Sequence, residues 1–185
     1  NSPSLEAQIA LISDDIAYNS HDLEDGLRAK LFKLQDLKNI PILNSILNKH
    51  KTKPKRFSKE LVFRQIIRDI INVMVEDIIE NTSKNIKKYK IKNINDVYKS
   101  EFPLVQFSKK MSSFHISIKK FLKENMYLNK KVVHKTKNGK RVISALFTRI
   151  RKNPRKYINI KDVKKIDIDR TICDFIAGMT DRFAI

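Results

Sequence analysis

The sequence predicts an all-α fold, a multi-helix bundle. Three observations carry that expectation. Apolar residues recur at spacings of three and four over long stretches, above all within 58–88, which is the pattern of a helix with one buried face. Convincing alternation of apolar and polar residues, the mark of a half-buried strand, is almost missing. The 185 residues include only three Gly and five Pro, so few positions break a long element. That length suits one domain with a real core.

Residues 4–25 read as the first helix. Ser4 can cap it, and Leu5, Ile9, Ile12, Ile16 and Leu23 recur at helical spacing as its expected buried face. Gly26 is an expected interruption, although 27–37 could continue in helical form. Pro41 opens a short helix to about Lys49, and Lys51–Arg56 is a basic linker containing Pro54. From Ser58 to about Lys88 the helix signal is strongest. Leu61, Val62, Ile66, Ile67, Ile70, Ile71, Met74, Val75, Ile78 and Ile79 form a broad apolar stripe, as expected of a central core helix.

Residues 89–103 read as a polar connection ending at Pro103. Residues 105–126 form another amphipathic helix, with Val105, Met111, Phe114, Ile118, Phe121 and Leu122 inward. Lys130–Lys137 is expected to be a short strand or an extended link, followed by a turn at Asn138-Gly139. Lys140–Arg151 returns to helix and stops before Pro154. Asp162 begins a final helical stretch that runs to the C-terminus.

No run of about 18 apolar residues occurs, so no membrane span is expected. The first residues, Asn1-Ser2-Pro3-Ser4, are neither a signal peptide nor a starting Met, which points to a processed, trimmed or split chain. The single cysteine, Cys173, excludes an internal disulfide and fits a reducing, cytoplasmic compartment. Its apolar setting predicts a buried structural thiol. The formal net charge of +19 raises nucleic acid as a partner. Lys outnumbers Arg almost three to one, however, and Ile and Asn are abundant, the pattern of AT-rich coding. Solvated Lys faces are the simpler explanation, and the 51–56 cluster is the place where polyphosphate or nucleic acid would be drawn.

The chemistry concentrates in the first helix. At about 100° per residue, Asp14, Tyr18, His21, Asp22 and Asp25 fall on one face, and the apolar set falls on the other. Carboxylates are hard ligands for Mg²⁺ or Mn²⁺, and with imidazoles they suit Fe or Zn. A Tyr hydroxyl can donate to a phosphate oxygen. The competing reading is an ordinary solvated acidic face.

Ser4-Leu5-Glu6-Ala7-Gln8, Asp14-Asp15-Ile16-Ala17-Tyr18, His21-Asp22 and Asp25-Gly26-Leu27-Arg28-Ala29 resemble the deoxyguanosinetriphosphate triphosphohydrolase-like family of the HD superfamily. Further matching blocks follow in family order. They are Phe63-Arg64-Gln65-Ile66-Ile67-Arg68, Val75-Glu76-Asp77, Leu146-Phe147 with Asn153-Pro154, and the closing stretch from Arg170 to Ala184. The resemblance spans nearly the whole chain. It implies an HD-domain-like, C-terminal helical part, with 1–50 as the end of the metal and nucleotide site and 51–185 as the helical C-terminal region.

Such enzymes cleave a deoxynucleoside triphosphate to deoxynucleoside and triphosphate, with a divalent metal (Mg, Mn, Fe or Zn) held by His, a His-Asp pair and a later Asp. The resemblance maps that later Asp onto Asp14. It maps contacts to the nucleotide's phosphate and sugar onto Tyr18 and Asp22. Arg64 and Arg68 are candidates for phosphate contact, or else for structural ion pairs with Asp69, Glu76 or Asp77. Asp15 is open to a second metal-bound role or to a structural salt bridge, and His21 reads as a supporting or surface residue.

The sequence departs from the family at the metal. His21-Asp22 follows Asp14, so it cannot be the family's upstream pair, and His50, His115 and His134 lie in unrelated contexts. The missing ligands are expected before Asn1, and the chain by itself is expected to be inactive and prone to self-association as a homo-oligomer. A reading without catalysis makes it a basic helical module that binds nucleic acid or nucleotide, or an oligomerisation domain built on helix 58–88.

Overall fold

A computed structural model describes residues 2–51, 58–158 and 167–184. Thr52–Arg56 of the basic cluster and Asp162 lie outside the described residues. The described residues form helices α1 (Leu5–Arg28), α2 (Pro41–Lys51), α3 (Lys59–Lys88), α4 (Ile94–Lys99), α5 (Lys109–Leu122), α6 (Lys130–Lys152), α7 (Ile168–Ala177) and α8 (Asp181–Ala184), with no strand among them. The fold is all-α, as the spacing of apolar residues predicts. The chain divides into two compact units, Asn1–Asn129 and Lys130–Ile185.

In the first unit, α1 starts where Ser4 accepts from the Ala7 N–H, so the cap read from the sequence is formed. Its buried line differs from the expected one. Ile16, Leu23 and Leu27 face the core, but Ile9 is exposed, and Gln8, Asn19 and Ser20 are buried instead. Gln8 is buried because Leu104 and Val105 need an acceptor. Its Oε1 takes their N–H groups at 2.8 and 3.1 Å, while its Nε2 donates to the Pro3 carbonyl at 2.8 Å. Apolar spacing alone cannot show such a demand from a distant loop.

Gly26 does not interrupt α1. A Cβ there would lie 2.2 Å from the Phe32 ring, so glycine serves close packing inside the helix. The stop comes at Lys30, which adopts φ 55° while its N–H reaches the Leu27 carbonyl and the Leu31 N–H reaches the Gly26 carbonyl. This pair of bonds closes the orphan carbonyls of a helix end.

Ser58 caps α3 through the Leu61 N–H. Ile66, Ile67, Ile70, Met74 and Ile78 of α3 are buried, while Leu61, Val75 and Ile79 at the edges of the predicted stripe are exposed. The core joins these residues to Leu23 and Leu27 of α1, Leu43 and Ile46 of α2, and Phe114 and Ile118 of α5. The polar connection 89–103 contains the short helix α4, started by Asn93 and Asp96 in a reciprocal cap. Helix α5 is shorter than 105–126. Asp77 of α3 accepts both the N–H and the hydroxyl of Ser108 at 2.8 and 2.6 Å, which fixes where α5 begins. Beyond Leu122 the chain widens into a π-helical turn, Lys123–Tyr127.

In the second unit, α6 is one continuous helix. The expected strand or link at 130–137 and the turn at Asn138-Gly139 are not formed. Gly139 lies in open space, and Asn138 Nδ2 sits 3.1 Å from His134 Nε2, one turn back. The helix cost of one Gly, about 1 kcal/mol, is too small to break a segment with about two and a half turns on one side and about three and a half on the other. Ile150 and Ile172 are fully buried where α6 meets α7, and Arg151 pairs with Asp169 at 3.0 Å. Cys173 is exposed, contrary to the expectation of a buried thiol, because α7 turns Ile172 inward and the next residue outward.

Candidate functional site

Asp14, Tyr18 and Asp22 lie at four-residue spacing along α1, on the face away from Ile16 and Leu23. Asp14 is exposed and has no ion-pair or hydrogen-bond partner among the described residues. Tyr18 is 61 % exposed. The same outward side also presents Leu11, which is 76 % exposed. His21 is exposed and Asp22 is half-buried.

Helix α5 and its π-turn close one flank of this face. Lys119 Nζ lies 2.7 Å from Asp15 Oδ2. His115 is buried, with Nε2 2.9 Å from Asn19 Nδ2 and 3.9 Å from Asp15 Oδ2, and its ring packs at 5.1 Å on Phe107. Burial first, and Lys119 second, hold the His115 pKa below the ordinary imidazole value, against an opposing pull from Asp15. The neutral ring can then accept from Asn19, which also donates to the Asp15 carbonyl at 2.6 Å. Asp15 is therefore engaged in a salt bridge, one of the two roles the sequence left open.

Helix α3 flanks the other side. It runs antiparallel to α1, since Gln8 and Asn85 both bind Leu104 at one end and Glu24 faces Arg64 at the other. Arg64 is 3.9 Å from Glu24, which is bound more closely by Arg28 at 2.6 Å. Arg68 is one turn further along α3 toward the Asp14 end of α1, exposed and without an ion-pair partner among the described residues. The ion pairs offered as an alternative for these arginines do not form. Asp69 is bound to His50 at 2.9 Å, and Asp77 is occupied by Ser108. A groove of about 640 Å³ lies beyond Glu24 and Arg28, floored by Leu27, Phe32 and Phe63; Asp14, Tyr18 and Asp22 do not line it.

The residue that sequence reasoning missed is Tyr127. Its hydroxyl donates to Asp22 Oδ2, with Tyr18 beside it. Burial first, then the bonds to Asp22 and Tyr18, push the Tyr127 phenol far above its ordinary value, so it is a permanent donor near neutral pH. Only its place at the end of an apolar helix could have marked it, because a π-turn leaves no periodic signal.

These residues do not by themselves fit a divalent ion. No group of three His, Cys, Asp or Glu converges among the described residues. Asp15 is held by Lys119 and Asp22 by Tyr127, and the open carboxylates that remain on this face, Asp14 and Asp25, stand about three turns apart, where such ions need several converging protein donors.

Residues 105–185 match the model of the phosphohydrolase-associated domain. Over its whole length the chain is 49 % identical to a deoxyguanosinetriphosphate triphosphohydrolase-like protein of Pelagibacter ubique, covering 50 % of that protein. It is 34 % identical over 99 % of its length to a protein of the same name from Geobacter sulfurreducens, covering 48 %. A Neorickettsia sennetsu protein of that name is 36 % identical over 99 %, with 49 % covered.

The chain is thus similar over its whole length to deoxyguanosinetriphosphate triphosphohydrolase-like proteins.

It spans about half the length of the curated relatives it matches. The matches run through both the α1 face and the region of α5 to α8, so they join the two ends from which the resemblance was read. The relatives' names and the matched domain support a phosphohydrolase family, in accord with the motif blocks. No helix among the described residues is long and apolar enough to cross a membrane.

Proposed function

We propose that this chain supplies the nucleotide-facing part of a deoxynucleoside triphosphate triphosphohydrolase, which cleaves its substrate to deoxynucleoside and triphosphate. Residues 1–50 carry the end of the metal and nucleotide site, and 51–185 carry the helical remainder. Asp14 is one donor to a divalent metal. Tyr18 donates to a phosphate oxygen, and Asp22 accepts from the sugar. Arg64 and Arg68 offset triphosphate charge, for which their planar guanidinium forks are suited.

The observation that carries this reading is the one face of α1 on which Asp14, Tyr18 and Asp22 are aligned, with Asp14 unpaired while its neighbour Asp15 is tied to Lys119. A merely solvated acidic face does not account for a half-buried Asp22 bound by the half-buried Tyr127 phenol. Because no group of three metal donors forms around Asp14 among the described residues, the 185-residue chain with deoxynucleoside triphosphates and Mn²⁺ or Mg²⁺ is expected to release no triphosphate above background. Robust release would overturn the division of the site proposed here. The uncovered Leu11, one turn before Asp14, supports a second expectation, self-association into a homo-oligomer. Light scattering that gives a monomer for the wild type would contradict it.

A second reading concerns α6. Six Lys, three Arg and no Asp or Glu lie between Lys130 and Lys152. Lys130, His134, Lys137, Arg141 and Lys152 share one exposed side at helical spacing, which suits a polyanion such as nucleic acid. Retention of an oligonucleotide at low salt, lost steeply as salt rises, supports this reading, and no retention at low salt counts against it.

A further inference from the structure

We infer that Tyr127 is a positioning residue for the sugar subsite, fixing the Asp22 carboxylate so that its second oxygen accepts from the 3′-hydroxyl of a deoxyribose. The inference rests on the reading of Asp22 given above. Tyr127 and Asp22 are 105 residues apart in the chain and meet through one hydrogen bond to Oδ2. Oδ1 has no partner among the described residues. A free Asp side chain spreads over several rotamers, and a donor on one oxygen selects the rotamer that turns the other outward. Asp22 shares its side of α1 with Tyr18 and Asp14, both of which are exposed.

Two further observations separate this from an ordinary tie between helices. The first is the π-turn. The Leu128 N–H reaches back to the Lys123 carbonyl at 3.0 Å, five residues away, which re-aims the residues of that turn relative to a continued α5. Such turns cost regular hydrogen-bond geometry and recur at functional sites. The second is the company of the phenol. Its ring packs against the core, so the ring is anchored, while its hydroxyl stands between Tyr18 and Asp22, two residues of the α1 face. A tie needed only for stability could be met by apolar packing at the same place, without a hydroxyl placed between Tyr18 and Asp22.

The experiment compares binding of deoxyguanosine triphosphate and its 2′,3′-dideoxy analogue to the 185-residue chain, by NMR titration at millimolar ligand. The wild type is expected to prefer the 3′-hydroxyl compound by about tenfold, the size of one charge-assisted hydrogen bond. Tyr127→Phe keeps the ring, so its thermal midpoint stays within a few degrees and its affinity for the dideoxy analogue is unchanged, while the preference falls to about two or less. Asp22→Ala brings the ratio to one. If the wild type binds the two compounds equally, or binds neither, the reading of Asp22 fails and the inference with it. If the wild type and Tyr127→Phe show the same preference while Asp22→Ala loses it, the reading of Asp22 stands and the inference is overturned. A Tyr127→Phe chain that weakens both ligands alike also overturns it, since that is the signature of a purely structural tie.

Discussion

Lys119 Nζ sits 2.7 Å from Asp15 Oδ2, one residue beyond the unpaired Asp14. Two adjacent acids thus have opposite fates, one spent on the packing of α5 against α1 and one left open. Both partners of the pair are about half exposed, so its contribution is small, of the order of 0.2–1 kcal/mol. Asp15→Asn is expected to lower the urea midpoint slightly in low salt, and less in 1 M salt, where exposed pairs are screened. Urea melts at two ionic strengths check this; a large, salt-independent loss would mean that Asp15 acts through its buried neighbours instead.

His115 gives the fold a dependence on pH. Its folded pKa lies below the ordinary 6.5. The unfolded chain therefore binds a proton that the folded chain refuses, and stability falls as pH drops below about 6.5 toward the depressed folded value. Above 6.5 the group contributes no slope. Urea melts at pH 7.5 and 5.5 are expected to show a larger loss for the wild type than for His115→Gln. Equal losses would contradict the neutral, Asn19-bound imidazole.

Gly26→Ala is expected to destabilise the protein despite a gain in helix propensity of about 1 kcal/mol. The new Cβ would meet the Phe32 ring at 2.2 Å, and that ring is buried and held edge-on by Phe121 at 4.9 Å. Overpacking of this kind costs about 1–3 kcal/mol, so the net loss is about 1 kcal/mol. A variant that melts above the wild type would show that Phe32 can move aside.

Lys90→Gly is expected to stabilise by a few tenths to about 1 kcal/mol. Lys90 ends α3 with φ 54°, while its N–H and that of Ile91 close carbonyls of the last turn. Glycine adopts this conformation without the Cβ clash. Its thermal midpoint should rise, and Lys90→Ala should not share the gain.

These helix ends also explain what the sequence could and could not reveal. Periodicity located α1, α3 and most of α5, and Ser4 and Ser58 marked two starts, because caps and apolar stripes are local. The stops at Lys30 and Lys90 carried no glycine to announce them. Gly26 and Gly139, the glycines that looked like breaks, stand inside helices, one for contact with Phe32 and one with nothing near it. Of the site, Asp14, Tyr18 and Asp22 could be aligned on one face from spacing alone. Gln8, His115 and Tyr127 could not, since each owes its part to a residue about a hundred positions away.

The central claim is that Asp14 on α1 is the carboxylate this chain brings to a triphosphohydrolase site. The direct test replaces the matching half of the Pelagibacter relative with this chain and measures release of triphosphate from deoxynucleoside triphosphates with Mn²⁺. The joined protein is expected to turn over, Asp15→Asn to retain most of the rate, and Asp14→Ala to lose it by at least a hundredfold, of the order seen when a key transition-state interaction is removed. An Asp14→Ala protein as active as its parent would contradict the account.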